Sequence, residues 1–216
     1  MLNTLIGIVI VVVMVVIVGI IITFFSKTSE AIQYDDEPPP VDVEEEESLK
    51  MFKVAEVKCA ATCKDARKKY IYDGIEDCIA ANSLAGGDKL CNYGCLGLGT
   101  CVRACGFDAI SIKDGLAFID HKKCTACGKC IEACPKHVIG LVPKIKGVSV
   151  FCNSKNKGEL VKQICSCGCT GCGECEKVCP EKVIHIEDNL AVIDKEGCSS
   201  CGECIDKCPQ TIILWD

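Results

Sequence analysis

The chain has 216 residues, of which 22 are cysteine and only 5% aromatic, with a formal charge of −6. Such a cysteine share lies outside ordinary globular composition, and so few aromatics leave little large apolar surface to bury, so disulfide or metal staples are expected. The net acidity argues against a nucleic-acid binder, which needs a basic surface to neutralise phosphates.

In chain order, the first feature is an apolar run. Residues 5–25 carry no charge, and at about 1.5 Å per residue they would form roughly 32 Å of helix, enough for a hydrocarbon core of about 30 Å. A cleaved signal peptide is the competing reading, but no basic n-region precedes the run and no small-residue cleavage site follows Phe25. Residues 1–26 are therefore expected to be a single-pass transmembrane anchor in contact with membrane lipid. Lys27 is the first charge, so the positive-inside rule places the main body on the cytoplasmic side of the cell membrane, where reducing conditions keep thiols free for metal.

Residues 27–50 read as an acidic linker, extended at Pro38, Pro39 and Pro40 and bearing the run Glu44 to Glu47. Two basic and nine acidic residues give it −7, which leaves residues 51–216 at +1. In the next segment, 51–87, Lys64, Arg67, Lys68 and Lys69 are expected on one helix face, either solvated or steering an acidic partner protein.

A repeat organises the rest. Cys124-x2-Cys127-x2-Cys130-x3-Cys134-Pro135 recurs at Cys169, Cys172, Cys175, Cys179-Pro180 and at Cys198, Cys201, Cys204, Cys208-Pro209. A degenerate copy, Cys91, Cys95, Cys101 and Cys105, precedes them, with Gly106 in place of proline. A shift of 74 residues lays the first pair of copies on the second, placing Asp114-Gly-Leu-Ala-Phe-Ile-Asp120 on Asp188-Asn-Leu-Ala-Val-Ile-Asp194. Both segments read as short strands after a turn.

Three thiolates at two-residue intervals wrap one face of a [4Fe-4S] cluster, and in paired motifs the cysteine before proline ligates the other cluster. One cluster is thus expected on Cys124, Cys127, Cys130 and Cys105, a second on Cys169, Cys172, Cys175 and Cys208, and a third on Cys198, Cys201, Cys204 and Cys179. The remaining site is expected on Cys91, Cys95, Cys101 and Cys134, because Leu98 stands where the middle cysteine belongs. Zinc is the main rival, but structural zinc prefers separated Cys-x2-Cys knuckles. Six cysteines remain: Cys59, Cys63, Cys78, Cys152, Cys165 and Cys167. They read either as a fifth cluster on Cys59, Cys63, Cys78 and Cys152, with Cys165 an alternative closing ligand, or as buried free thiols left by duplication.

The stretches Tyr72-Asp-Gly-Ile-Glu-Asp-Cys78 and Cys91-Asn-Tyr-Gly-Cys-Leu-Gly-Leu-Gly-Thr-Cys101-Val-Arg-Ala-Cys105, followed by the paired Cys-Pro motifs, resemble the B subunit of the Rnf complex. The resemblance covers roughly residues 51–214 and the anchor. It implies an electron-transfer subunit of an ion-translocating ferredoxin:NAD oxidoreductase, a translocase coupling electron flow to sodium or proton movement. Members usually carry a further cluster domain after the anchor, whereas residues 27–58 here hold no cysteine.

No strand-Gly-x-Gly-x-x-Gly-helix unit is present, so flavin and NAD are expected on other subunits. His121, His137 and His185 read as exposed loop residues, and no catalytic residue is named. The expected fold is α+β: an anchor followed by two tandem 2[4Fe-4S] ferredoxin-like domains at 88–148 and 165–216, joined by a connector at 149–164. Competing functions are a polyferredoxin subunit of another membrane hydrogenase or reductase, and an iron-sulfur redox sensor.

Overall fold

The computed structural model describes Gly19, residues 52–62 and residues 64–215. The expected anchor (apart from Gly19), the acidic linker and Cys63 lie outside the described residues, and no described helix is long and apolar enough to cross a membrane. In chain order the body comprises β1 (Lys53–Val57), α1 (Cys78–Ser83), α2 (Thr100–Ala104), β2 (Ile110–Lys113), β3 (Leu116–Ile119), α3 (Lys129–Glu132) and β4 (Ile139–Pro143). It continues with β5 (Val148–Val150), α4 (Gly158–Ile164), α5 (Glu174–Val178), β6 (Ile184–Glu187), β7 (Leu190–Ile193), α6 (Glu203–Lys207) and β8 (Ile213–Trp215).

The 74-residue repeat is visible in the sheets. β2 and β3 form a hairpin with Ile110 opposite Ile119, and β6 and β7 form its counterpart with Ile184 opposite Ile193. The turns are Asp114-Gly115 and Asp188-Asn189, all four residues at positive φ, as a type I′ connection requires. One face of each hairpin is buried through Ile110, Ala117 and Ile119, or through Ile184 and Ala191, in keeping with the two-residue period of a strand.

A second, outer pair closes each half: β1 runs antiparallel to β4, with Val54 opposite Val142, and β5 runs antiparallel to β8, with Ser149 opposite Leu214. The first half thus takes its opening strand from the segment 51–87, and the second takes its own from residues 148–150, so each half extends beyond the span expected from its cysteines. β1 ends 38 residues before Cys95, while β5 ends 19 residues before Cys169. The extra chain in the first half separates β1 from its cluster loops and hides it from a cysteine-based register.

The aliphatic core is small: Val54, Val138, Val148, Val161, Ile212 and Ile213 are each 1% exposed, whereas Phe52, Phe107 and Phe118 lie on the surface. Cysteines fill much of the remaining interior of both halves. The halves are also joined by polar contacts. Ser149 Oγ donates to Glu56 Oε1 at 2.8 Å, and Lys195 Nζ donates to Ser149 Oγ at 2.5 Å.

The expected basic helix at Lys64–Lys69 does not form. Ala66 and Lys68 instead make isolated bridges to Cys165 and Lys89, Lys68 pairs with Asp88 at 2.8 Å, and Lys69 Nζ donates to Ala85 O at 2.9 Å. Tertiary partners override local propensity here. His185 is likewise on strand β6, exposed, with Nδ1 3.8 Å from Glu176 Oε1, and is not in a loop.

Gly97 and Gly171 are equivalent under the repeat and both have positive φ. Each brings its cluster loop against the hairpin turn of its own half. A Cβ on Gly171 would lie 2.6 Å from Asn189 O, and one on Gly97 would strike Gly115 O. Gly171→Ala is therefore expected to cost more than about 1 kcal/mol through the left-handed backbone and the clash together, read as a lowered thermal midpoint under anaerobic conditions.

Candidate cluster sites

Each cluster loop enters a short helix through a glycine in the left-handed region: Gly99 before α2, Gly128 before α3, Gly173 before α5 and Gly202 before α6. The third cysteine of each loop, Cys101, Cys130, Cys175 or Cys204, falls in that helix and is buried. The residue three after the last cysteine also has positive φ in every copy: Asp108, His137, Lys182 and Thr211. The degenerate copy with Gly106 thus follows the same turn as the three Cys-Pro copies.

The structure brings the cysteines of three of the expected sets near one another. Burial, and then the charges of Cys124, Cys127 and Cys105, raise the Cys130 thiol pKa. Cys175 is pushed up to about 12 by burial and by Cys169, Cys172 and Cys208. Cys204 is pushed up to about 11 by burial and by Cys198, Cys201 and Cys179. In each set the ligand from the partner motif, Cys105, Cys208 or Cys179, lies among the three from the local loop. Four crowded thiols repel one another as thiolates, so ionising them all requires a strong central cation, which iron supplies. Among the described residues no group of three or more His, Cys, Asp or Glu could hold one metal ion.

Around the remaining expected set the structure adds a cysteine that the spacing does not place there. Around Cys101, which burial and neighbouring thiols push up to about 12, stand Cys95, Cys78 and Cys134. Cys91 lines a cavity with Cys59, Cys152, Cys165 and Cys167. Cys78 enters from α1, whose N-terminus Asp77 caps by accepting from the N–H groups of Ile79 and Ala80. The same carboxylate accepts from Thr100 Oγ1 at 3.0 Å and from Arg103 at 2.6 Å, while the Cys78 N–H donates to Thr100 Oγ1 at 2.7 Å. This network docks α1 on the start of α2, beside Cys101. Leu98, at the position of the missing ligand, packs against the same small cluster as Cys78. In the complete sets the middle cysteine, Cys127, Cys172 or Cys201, is solvent exposed. Here a half-buried leucine and a buried cysteine replace it.

Lys89 carries no sequence signal that marks it as part of a site. It is 1% exposed, and its ammonium donates to Cys95 O at 2.6 Å and Gly115 O at 3.4 Å. No carboxylate among the described residues pairs with it. A buried cation without a counter-ion is costly, and thiolate ligation beside it would supply the missing negative charge. Its charge also favours the thiolates of Cys59, Cys95 and Cys165. Of the other cysteines expected in a fifth set, Cys59 and Cys152 line one cavity with Cys91, Cys165 and Cys167, Cys78 lies elsewhere as above, and Cys63 is not described.

These features define an iron-sulfur protein of the ferredoxin type. Residues 168–213 match the 4Fe-4S dicluster domain family and residues 117–140 match the 4Fe-4S binding domain family. The chain is homologous to the B subunits of ion-translocating ferredoxin:NAD oxidoreductase (Rnf) complexes. It is 50% identical over 143 residues to the B subunit of the Na(+)-translocating ferredoxin:NAD(+) oxidoreductase complex of Acetobacterium woodii, covering 66% of this chain and 43% of the relative. It is 52% identical over 144 residues to the B subunit of the proton-translocating ferredoxin:NAD(+) oxidoreductase complex of Clostridium ljungdahlii, covering 66% of this chain and 51% of the relative. It is 44% identical over 141 residues to the B subunit of the ion-translocating oxidoreductase complex of Methanosarcina acetivorans, covering 65% of this chain and 53% of the relative. The chain spans about half the length of these curated relatives.

Two variants test the site. Cys78→Ala is expected to lower iron by about four atoms per chain, and adding Leu98→Cys to restore them by rebuilding the standard spacing, both read by iron and sulfide analysis. Lys89→Met removes a buried positive charge beside Cys95, which should drive the neighbouring cluster's potential more negative in an EPR-monitored titration.

Proposed function

We propose that this chain is the electron-relay subunit of a membrane-bound, ion-translocating ferredoxin:NAD oxidoreductase. It would take low-potential electrons from soluble ferredoxin and pass them to other subunits of the complex. What supports this reading is the gathering of cysteines into four groups, each with one member from the partner motif, in a sequence with no readable nucleotide-binding unit. The similarity to proteins named as B subunits of ion-translocating oxidoreductase complexes also supports it.

The four ligand sets are Cys78, Cys95, Cys101 and Cys134; Cys124, Cys127, Cys130 and Cys105; Cys169, Cys172, Cys175 and Cys208; and Cys198, Cys201, Cys204 and Cys179. When bound, each [4Fe-4S] cluster supplies one-electron exchange with no atom transferred. The protein holds the thiolates, packs aliphatic side chains around them and directs backbone N–H groups at sulfur, as Ala55 does toward Cys124 Sγ at 3.3 Å. These contacts tune potential. Flavin and nicotinamide chemistry falls to partner subunits, and residues 5–25 anchor the chain with the body on the cytoplasmic side.

The full-length protein, purified anaerobically, is expected to lose its cluster absorbance rapidly when mixed with reduced ferredoxin, and to regain it on adding the remaining subunits with NAD. Failure of ferredoxin to reduce an iron-loaded protein would overturn the donor assignment. About four zinc atoms with little sulfide would remove the cluster reading altogether.

A further inference from the structure

Five thiols outside the four sets, those of Cys59, Cys91, Cys152, Cys165 and Cys167, line a single cavity at the junction of the two halves, together with Phe151, Val161, Ile164 and the buried Lys89. Four of the five are related by the internal repeat. Cys59 follows the last residue of β1 by two positions, and Cys152 follows the last residue of β5 by two. Cys91 precedes Cys95 by four positions, and Cys165 precedes Cys169 by four. A backbone amide also reaches one of these sulfurs: the Cys169 N–H donates to the Cys152 sulfur at 3.3 Å. Each half therefore contributes one cysteine from the end of its outer strand and one from the approach to its first cluster loop.

From this arrangement we propose that the junction cavity is a fifth [4Fe-4S] site, ligated by Cys59 and Cys91 from the first half and Cys152 and Cys165 from the second. The proposal rests on the chain being a cluster protein. Cys167 has no counterpart in the repeat, since a shift of 74 places it on Tyr93. Its sulfur lies 4.0 Å from that of Cys165, suiting a hydrogen-bond donor to a ligand and not a second corner. Two further observations favour a charged metal centre over idle thiols. Two backbone amides, those of Ser154 and Cys169, point at the Cys152 sulfur, the usual way of stabilising a cluster ligand, and Lys89 brings to the cavity a buried cation that no carboxylate among the described residues pairs with. On binding, each thiol gives its proton to solvent and its sulfur bonds one iron. With Cys91 four residues before Cys95 and Cys165 four residues before Cys169, the site would adjoin the first cluster loop of each half.

The test is iron, sulfide and zinc per chain in the anaerobically purified full-length protein and in single variants. The wild type should hold about 20 iron and about 20 sulfide, Cys91→Ser and Cys152→Ser should each fall to about 16, and Cys167→Ser should stay near 20. If Cys91→Ser or Cys152→Ser cannot be obtained folded, the wild-type count decides alone. About 16 iron in the wild type, with or without one zinc, overturns the fifth site and leaves the four-cluster reading standing, as does an unchanged count in Cys91→Ser. A wild type with almost no iron and sulfide would instead refute the cluster reading itself.

Discussion

The constraint on which this molecule depends is that no cysteine loop can complete its own site. Three of the runs offer three thiols to one face of a cluster and the first offers two, joined by Cys78, and the last corner must be reached by a cysteine that begins the turn after the partner run. The two runs of a half must therefore fold together, and the hairpin between them, β2–β3 or β6–β7, sets their separation. The aliphatic core is small because it has little left to do. It seals the outer strands and hairpins around sites whose ligation supplies most of the cross-linking, in the way metals substitute for core in small domains.

A second consequence concerns charge. Thiolate-ligated clusters are anionic, and a protein that crowds several together accumulates buried negative charge. The body from residue 51 onward is nonetheless almost neutral by sequence, at +1 against −7 for the linker. Lys89 shows how the balance is struck locally: a fully buried ammonium is held by two carbonyls against Cys95 and faces the junction cavity. Its environment makes sense with metal-bound thiolates around it and is unfavourable without them.

Much of this is legible in the sequence, for a physical reason. Within a loop of fixed length, residue spacing is geometry, so Cys124, Cys127, Cys130 and Cys105 and their two counterpart sets can be grouped from numbers alone. The hairpins follow because the repeat preserves their spacing. What cannot be read lies across segments of variable length. The longer connection after β1 makes Cys78 a numerical match for Cys152, whereas in the fold Cys59 is the equivalent of Cys152 and Cys78 belongs with Cys101. Spacing groups Cys91 with Cys95, whereas in the fold Cys91 lines the junction cavity with Cys59, Cys152 and Cys165. The basic run at Lys64–Lys69 looks helical because its bridges to Cys165 and Lys89 are nonlocal, and Lys89 carries no local pattern at all.

The exchange of a surface cysteine for Leu98 and the interior Cys78 has one more implication. In the other three sets the middle cysteine opens a corner to the outside, through Cys127, Cys172 and Cys201. Such a corner is where a docking protein comes nearest the metal and where oxygen first attacks it. The group around Cys101 has no exposed cysteine: Cys78, Cys95 and Cys101 are buried and Cys134 is half-buried. A cluster held there would lie deeper beneath the surface than its three counterparts.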